Sequence, residues 1–269
     1  MDDKIFHTIL HELAKENGYA VTRIIDGVYE LKKGSKKVYI RGKNFGLNTS
    51  LAASFAKNKA QTFEILRRNG IKAVPHYELY QPALYALFGD QEKRNKKRIN
   101  AIIKKEKLPL VVKPAEGNKA RGVSLVRSKR QINRAINDLF ITENEVVLCP
   151  FRDIKHEYRT VILNGKVELI FDKVKPERIK HGKLVFGARA QKIEESDKAY
   201  KKLEAIAKRA AKALGLDFAT VDIIETENEG FEVLEINSSV CIGSFGGRSK
   251  GYYNIAKAIY KKAFKKAVK

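Results

Sequence analysis

Apolar residues recur at helical spacing over positions 4 to 16, at Ile5, Ile9, Leu10 and Leu13, and Asn17-Gly18 is a stop signal. The period then falls to two: 20 to 25, 28 to 31 and 37 to 41 read as short strands joined at Asp26-Gly27 and Gly34, a β-meander. Helical spacing returns over 50 to 69 through Leu51, Phe55, Ala60, Phe63 and Leu66, ending at Asn69-Gly70. The stretch "IKAVPHYEL" reads as a strand broken at Pro75, and 80 to 107 as a highly basic helical region.

Two β-branched-rich runs, 110 to 112 and 123 to 126, then flank a polar loop, giving a hairpin. An amphipathic helix over 128 to 140 and the strand "EVVLCPF" follow. "HEYRTVILNGKVELIFDKV" predicts two strands around an Asn164-Gly165 type I′ turn. A long Ala/Lys helix spans 196 to 214, "FATVDIIETENEGFEVLEIN" supplies two more strands, and a last helix covers 251 to 266.

Candidate chemistry lies at the ends of these strands. In "LPLVVKPAEGNKARGVSLV", Lys113 closes an apolar strand, and Gly117, Lys119, Arg121 and Gly122 make the following loop flexible and rich in donors. Freed backbone N–H groups beside cations suit a polyphosphate, although the pattern is neither GxxxxGK[ST] nor GxGxxG. Asp222 follows a β run, and Glu235 and Asn237 alternate in "FEVLEIN", so both point to one face of a strand. Paired as a hairpin through Glu229-Gly230, the two strands bring together two carboxylates and an amide, a set for a hard cation such as Mg²⁺.

Composition narrows the classes. The 269 residues carry 54 Lys plus Arg against 31 Asp plus Glu, a formal net charge of +23, which favours anionic partners. Cys149 and Cys241 lie far apart, with no His or Cys at ligand spacing, so neither a disulfide framework nor a zinc site is expected. His7, His11, His76, His156 and His181 show no metal spacing; His156, beside Glu157, is the one to inspect. No run reaches a membrane span and "MDDKIFHTIL" has no signal-peptide core, so a cytoplasmic location is expected.

Taken in order, these pieces resemble the ATP-grasp superfamily over roughly residues 48 to 262. "LAASFAKNKAQTFEILRRNGIKAVP" is similar to the helix preceding the ATP-binding lobe, with Lys59 as first nucleotide-binding lysine; "LVVKPAEGNKARGV" resembles the second lysine and its mobile glycine loop. "EVVLCPF" resembles the strand whose backbone binds adenine, and "VDII" with "EINSS" the metal-binding pair. "EYR…NGK" and "EINSS" look most like RimK-type amino-acid ligases and the ligase module of cyanophycin synthetases. The chain departs in having Val240-Cys241 after Ser238-Ser239, in lacking an Arg-x-Asn run before "FGARAQ", and in its short N-terminal lobe.

The resemblance implies an α+β ATP-grasp fold, two lobes gripping ATP: a short N-terminal α+β lobe at 1–47, the lysine helix and first lobe at 48–145, and the second lobe with the metal-binding strands at 146–269. It implies ATP-dependent joining of a carboxylate to an amine through an acyl-phosphate. Lys59 and Lys113 then take the phosphates, with adenine N7 also open to Lys113, and Glu116, Gly117 and Gly122 form the loop above them. Val147 and Leu148 line the adenine, Glu157 takes the ribose with Glu145 the alternative near adenine, and Asp222, Glu235 and Asn237 hold one or two Mg²⁺, for which Mn²⁺ can substitute. Arg159 stabilises the acyl-phosphate and oxyanion, a role that suits a permanently charged fork. Arg189, Ser238 and Arg248 are candidates for substrate binding.

The charge points to an amino acid or an acidic peptide or protein as substrate, and a homo-oligomer is compatible with all of this. A phosphotransferase acting on an anionic small molecule would use the same lysines. A nucleic-acid-binding protein would use 91 to 107 and the tail "KKAFKKAVK", but dispersed lysines without interleaved aromatics do not favour it.

Overall fold

The computed structural model describes residues 2–84, 86–117, 121–174, 179–180, 183–184 and 189–269. Helix α1 (Asp2–Glu16) buries Ile9, Leu10 and Leu13 of the expected stripe, with Phe6 in place of half-buried Ile5, against an antiparallel meander of β1 (Ala20–Ile25), β2 (Val28–Lys33) and β3 (Lys36–Arg41). This N-terminal unit has no core of its own. Phe6, Leu31 and Ile40 share one cluster with Phe218, and with Phe245 and Tyr260 from the C-terminal helices α7 (Gly243–Gly246) and α8 (Lys250–Ala267).

Where the pattern predicts one helix over 50 to 69, there are two, α2 (Ser50–Lys57) and α3 (Lys59–Arg68). Asn58 separates them: its backbone is extended, and its Oδ1 accepts from the N–H groups of Ala60 and Gln61, capping α3. Propensity favours continuity here, and a local side-chain cap overrides it.

The first sheet runs β4 (Tyr77–Tyr80), β7 (Glu145–Pro150), β5 (Leu110–Pro114), β6 (Ser124–Val126), all antiparallel. Leu79, Leu110, Val112, Val146 and Leu148 pack on Ile99 and Ile102 of α4 (Gln91–Glu106) and on Ile132 and Ile136 of α5 (Lys129–Phe140). The basic helix is shorter than expected. Residues 81 to 84 and 86 to 90 are loop with one 3-10 turn (Ala86–Phe88), and α4 starts only after Asp90, whose side chain accepts from the N–H of Lys93.

The second sheet runs β12 (Arg189–Lys192), β9 (Lys166–Val174), β8 (His156–Leu163), β13 (Phe218–Thr226), β14 (Gly230–Asn237), again antiparallel. A short pair, β10 (Ile179–Lys180) and β11 (Lys183–Leu184), lies apart. Asn164 and Gly165 both have positive φ, 48° and 72°, as a type I′ turn requires. Helix α6 (Tyr200–Leu214) covers one face, and α2 and α3 join it there: Ala52, Ala56 and Leu66 share a core with Leu203, Ala207 and Ala211. The expected boundaries at 47 and 145 therefore cut through shared cores: the lysine-bearing helix precedes the first sheet in sequence but packs on the second. Among the described residues no helix is long and apolar enough to cross a membrane.

The sheets face each other. Val111 and Cys149 of the first meet Ile224 of the second in one apolar cluster, with Phe151, Ile154 and Leu234 half-buried around it.

Candidate functional site

The open end of the second sheet carries a buried ion network. Arg159 donates from Nε to Asp222 Oδ1 at 2.7 Å and from Nη2 to Oδ2 at 2.7 Å, and its Nη1 donates to the carbonyl of Cys241 at 3.1 Å. Lys173 Nζ bridges Asp222 Oδ2 at 2.5 Å and Glu157 Oε1 at 2.9 Å. Pairing of Asp222 with Arg159 between β13 and β8 places both side chains on the cleft face. Burial pushes the Asp222 carboxyl up, but Arg159 and Lys173 outweigh it and hold the pKa far below the usual carboxylate range. For Lys173 burial works against the charge, and Asp222 together with Glu157 and Glu235 more than restores it.

Lys173 is absent from the sequence-derived candidates for a register reason. A two-residue turn at Asn164-Gly165 pairs Leu163 with Lys166 and Ile162 with Val167, which carried onward sets Asp172 opposite Glu157. A bulge after Ile162 shifts Val161 to Leu169, so Tyr158 meets Asp172 and Lys173 turns to the cleft. The same shift takes Asp172 to the helix-covered face, where its Oδ2 lies 2.7 Å from His156 Nδ1. His156 thus leaves the site.

A second bulge, in β14, shapes the acidic end. Ile223 pairs with Val233 but Asp222 with Glu235, so Leu234 is the extra residue, and Glu235 and Asn237 stand on the face of Asp222. Asn237 Nδ2 donates to Glu235 Oε1 at 3.2 Å. Hard oxygen donors on one strand fit Mg²⁺. The expected set is incomplete in one respect: both oxygens of Asp222 are taken by Arg159 and Lys173, and among the described residues no three His, Cys, Asp or Glu side chains form a metal cluster. Ser238 is buried beside this edge, its carbonyl accepting from Asn48 Nδ2 at 3.3 Å.

Across the cleft, Lys113 is buried on the open face of β5 beside Val147. Lys59 opens α3 and reaches the carbonyls of Pro114, Ala115 and Gly117 at 3.4, 3.3 and 3.2 Å. Burial, then Lys113, lowers the Lys59 pKa, while Glu235, Cys149 and Glu116 oppose the shift, which places Lys59 between the two sheets' charges. Glu116 is exposed, and Gly117 and Gly122 have φ of 110° and 68°. A Cβ on Gly122 would lie 2.7 Å from Leu139 Cδ2, so glycine is required there on both counts. Lys119, and His181 elsewhere, lie outside the described residues.

Other candidates are not brought together. β7 is interior, between β4 and β5, so the backbone groups of Val147 and Leu148 are committed to ladders on both sides, and Leu148 faces α4 and α5. The first backbone beyond those ladders is that of 151 to 154. Glu145 accepts from Asn58 Nδ2 at 2.9 Å. Arg189 pairs with Val174, one position on from Lys173, so it stands on the opposite face from Arg159. Arg248 is exposed beyond α7. The apolar slot of Val111, Cys149, Ile224 and Leu234 escaped the sequence reading because buried strand residues look alike whether they meet a helix or a cleft.

Two antiparallel sheets facing across a cleft, with lysines from one side and acids from the other, define an ATP-grasp fold. A family model described as the RimK-like ATP-grasp domain matches residues 56–262, and the chain belongs to that family. A probable alpha-L-glutamate ligase of Aeromonas salmonicida (strain A449) is 29% identical over 199 residues, covering 72% of this chain and 59% of that protein. The chain spans about 60% of the length of the curated relatives it matches. Among solved structures, the VanG D-Ala:D-Ser ligase of Enterococcus faecalis superposes with a TM-score of 0.62 at 17% identity, covering 82% of this chain and 63% of that one. The D-alanine–D-alanine ligase of Bacillus anthracis complexed with ATP gives 0.57 at 20% identity, covering 82% and 70%.

Proposed function

We propose that this chain is an ATP-dependent, ADP-forming carboxylate–amine ligase. The observation that carries the reading is the pair of lysines, half-buried Lys59 and buried Lys113, set across the cleft from Arg159, Lys173, Asp222 and Glu235. A carboxylate is a poor electrophile; phosphorylating it creates a leaving group, and the protein's task is to neutralise and align. Lys59 and Lys113 bind phosphate oxygens, and the slot of Val111, Cys149, Ile224 and Leu234 takes the flat adenine. Phe151 N–H donates to the Pro109 carbonyl, so the backbone groups of 152 to 154, beyond the β7 ladders, are the ones to read the base edge.

Glu235 and Asn237 hold the Mg²⁺, which supplies positive charge at the phosphates when bound. Asp222 is first a clamp, fixing Arg159 and Lys173 toward the cleft so that their charge faces the incoming carboxylate and the oxyanion of amine attack. Gly117 and Gly122, both at positive φ, supply the backbone freedom needed there to cover the phosphates and exclude water, which protects an acyl-phosphate from hydrolysis. The net charge of +23 favours an acidic acceptor, an amino acid or an acidic peptide. The test is ADP release from Mg-ATP over a panel of amino acids and acidic peptides, with product mass. Release that requires both a carboxylate and an amine, with a product heavier by one residue, supports the reading; ADP formed with a phosphorylated product and no amide would make the protein a phosphotransferase.

A further inference from the structure

A feature far from the cleft is not used by this chemistry. In the loop between β4 and α4, Leu84 is 54% and Leu87 95% exposed, the latter on the single 3-10 turn. Directly after it, α4 carries seven cations, and no acidic residue lies between Lys93 and Lys105. Its apolar side, Ile99 and Ile102, is buried against the sheet, so the cations are presented outward from a fixed base. Helical spacing arranges them as two adjacent rows, Lys93, Lys97 and Lys104 beside Arg94, Arg98 and Lys105. Among the described residues Lys93, Arg94, Lys97 and Lys104 have no ion-pair partner. The rows adjoin the loop: a Cβ on Gly89, two residues after Leu87, would stand 3.2 Å from Arg94 Nη2.

We propose that this loop and the outer face of α4 dock the protein on an anionic phospholipid surface. Neither a short apolar anchor nor a basic patch holds a protein on a bilayer by itself, but the two together do. Here they are contiguous. Leu87, almost wholly exposed on its turn, lines no groove, so it fits a soft medium it can enter. The cations ride on long stems with no acid interleaved to set a register, which suits laterally mobile headgroups. A second copy is disfavoured by the repulsion of two chains of +23. Nucleic acid would leave the leucines in water.

The experiment is co-sedimentation of the full chain with vesicles of phosphatidylcholine alone or mixed with phosphatidylserine, across a salt series. The proposal expects binding to the anionic vesicles only, weakening with salt, and reduced about tenfold or more both by Leu84→Ser with Leu87→Ser and by Lys93→Glu with Lys97→Glu. All four positions are exposed, so circular dichroism and melting temperature should match the unaltered chain. Failure to bind anionic vesicles at low salt overturns the proposal, as does binding indifferent to the leucine substitutions. Leucine-dependent binding of an acidic peptide or duplex DNA, without vesicle binding, would overturn it in favour of a macromolecular partner.

Discussion

Arg159 and Asp222 face each other across neighbouring strands with two parallel N–H···O bonds of 2.7 Å, and the carboxylate is wholly buried. Such a fork-to-fork contact fixes orientation as well as charge. Lys173 adds a second cation to the same oxygen that Arg159 Nη2 holds, so removing Asp222 takes a partner from two cations at once, leaving Lys173 with Glu157 and Arg159 with the Cys241 carbonyl.

Asp222→Asn should therefore cost about 3–5 kcal/mol of stability, read as a fall in the urea midpoint. Replacing the whole group by neutral residues, Arg159→Met, Asp222→Leu, Lys173→Met and Glu157→Gln together, should recover most of that loss while abolishing ADP formation. A neutral effect of Asp222→Asn on the midpoint would show that the network is not formed in solution.

Acid should unpick the same contact. The folded pKa of Asp222 lies below its ordinary value of 3.8, so as pH falls the unfolded chain takes up the proton first. The stabilisation is full above about pH 5 and drains away below about pH 4, toward the folded pKa. Asp222→Asn removes this term, so below about pH 4 its stability should fall less steeply than that of the unaltered chain, as urea titrations at stepped pH would reveal.

Much of this architecture is legible in the chain, because turns and periods are local. Asn164-Gly165 and Asp26-Gly27 announce their hairpins, and Glu229-Gly230 that of the two acid-bearing strands. What resists is register. Single-residue bulges after Ile162 and at Leu234 decide whether Lys173 or Asp172 enters the cleft and whether Glu235 meets Asp222, and nothing local marks either. The break at Asn58 is hidden for a related reason: a polar residue within a helical pattern reads as surface until its side chain is seen capping Ala60 and Gln61.

The two loop glycines should separate in their tolerance. At Gly122 an alanine meets positive φ, Leu139 and Pro114, and should cost about 1–3 kcal/mol. At Gly117 φ is also positive but the space is open, so strain alone acts and the cost should be about 1 kcal/mol. Equal denaturation midpoints for the two variants would mean that Leu139 does not hold the end of the loop.

Lys59 gives a test of the nucleotide reading that does not depend on turnover. Burial and Lys113 lower its pKa, so as pH rises above neutral the free protein loses this proton earlier than an ordinary lysine at 10.5 would. A polyphosphate placed against it favours the charged form and draws the proton back. Mg-ATP binding should therefore take up protons, increasingly so as pH rises toward the lowered pKa, and calorimetry in buffers of different ionisation enthalpy should show the uptake. Lys59→Arg keeps the charge but cannot titrate, and should abolish the uptake while leaving measurable affinity. Lys59→Ala should weaken ATP binding by about tenfold or more, the loss of a charge-assisted contact. Buffer-independent heats for the unaltered chain, with ATP bound, would move the phosphates away from Lys59 and leave it as a strut holding Pro114, Ala115 and Gly117.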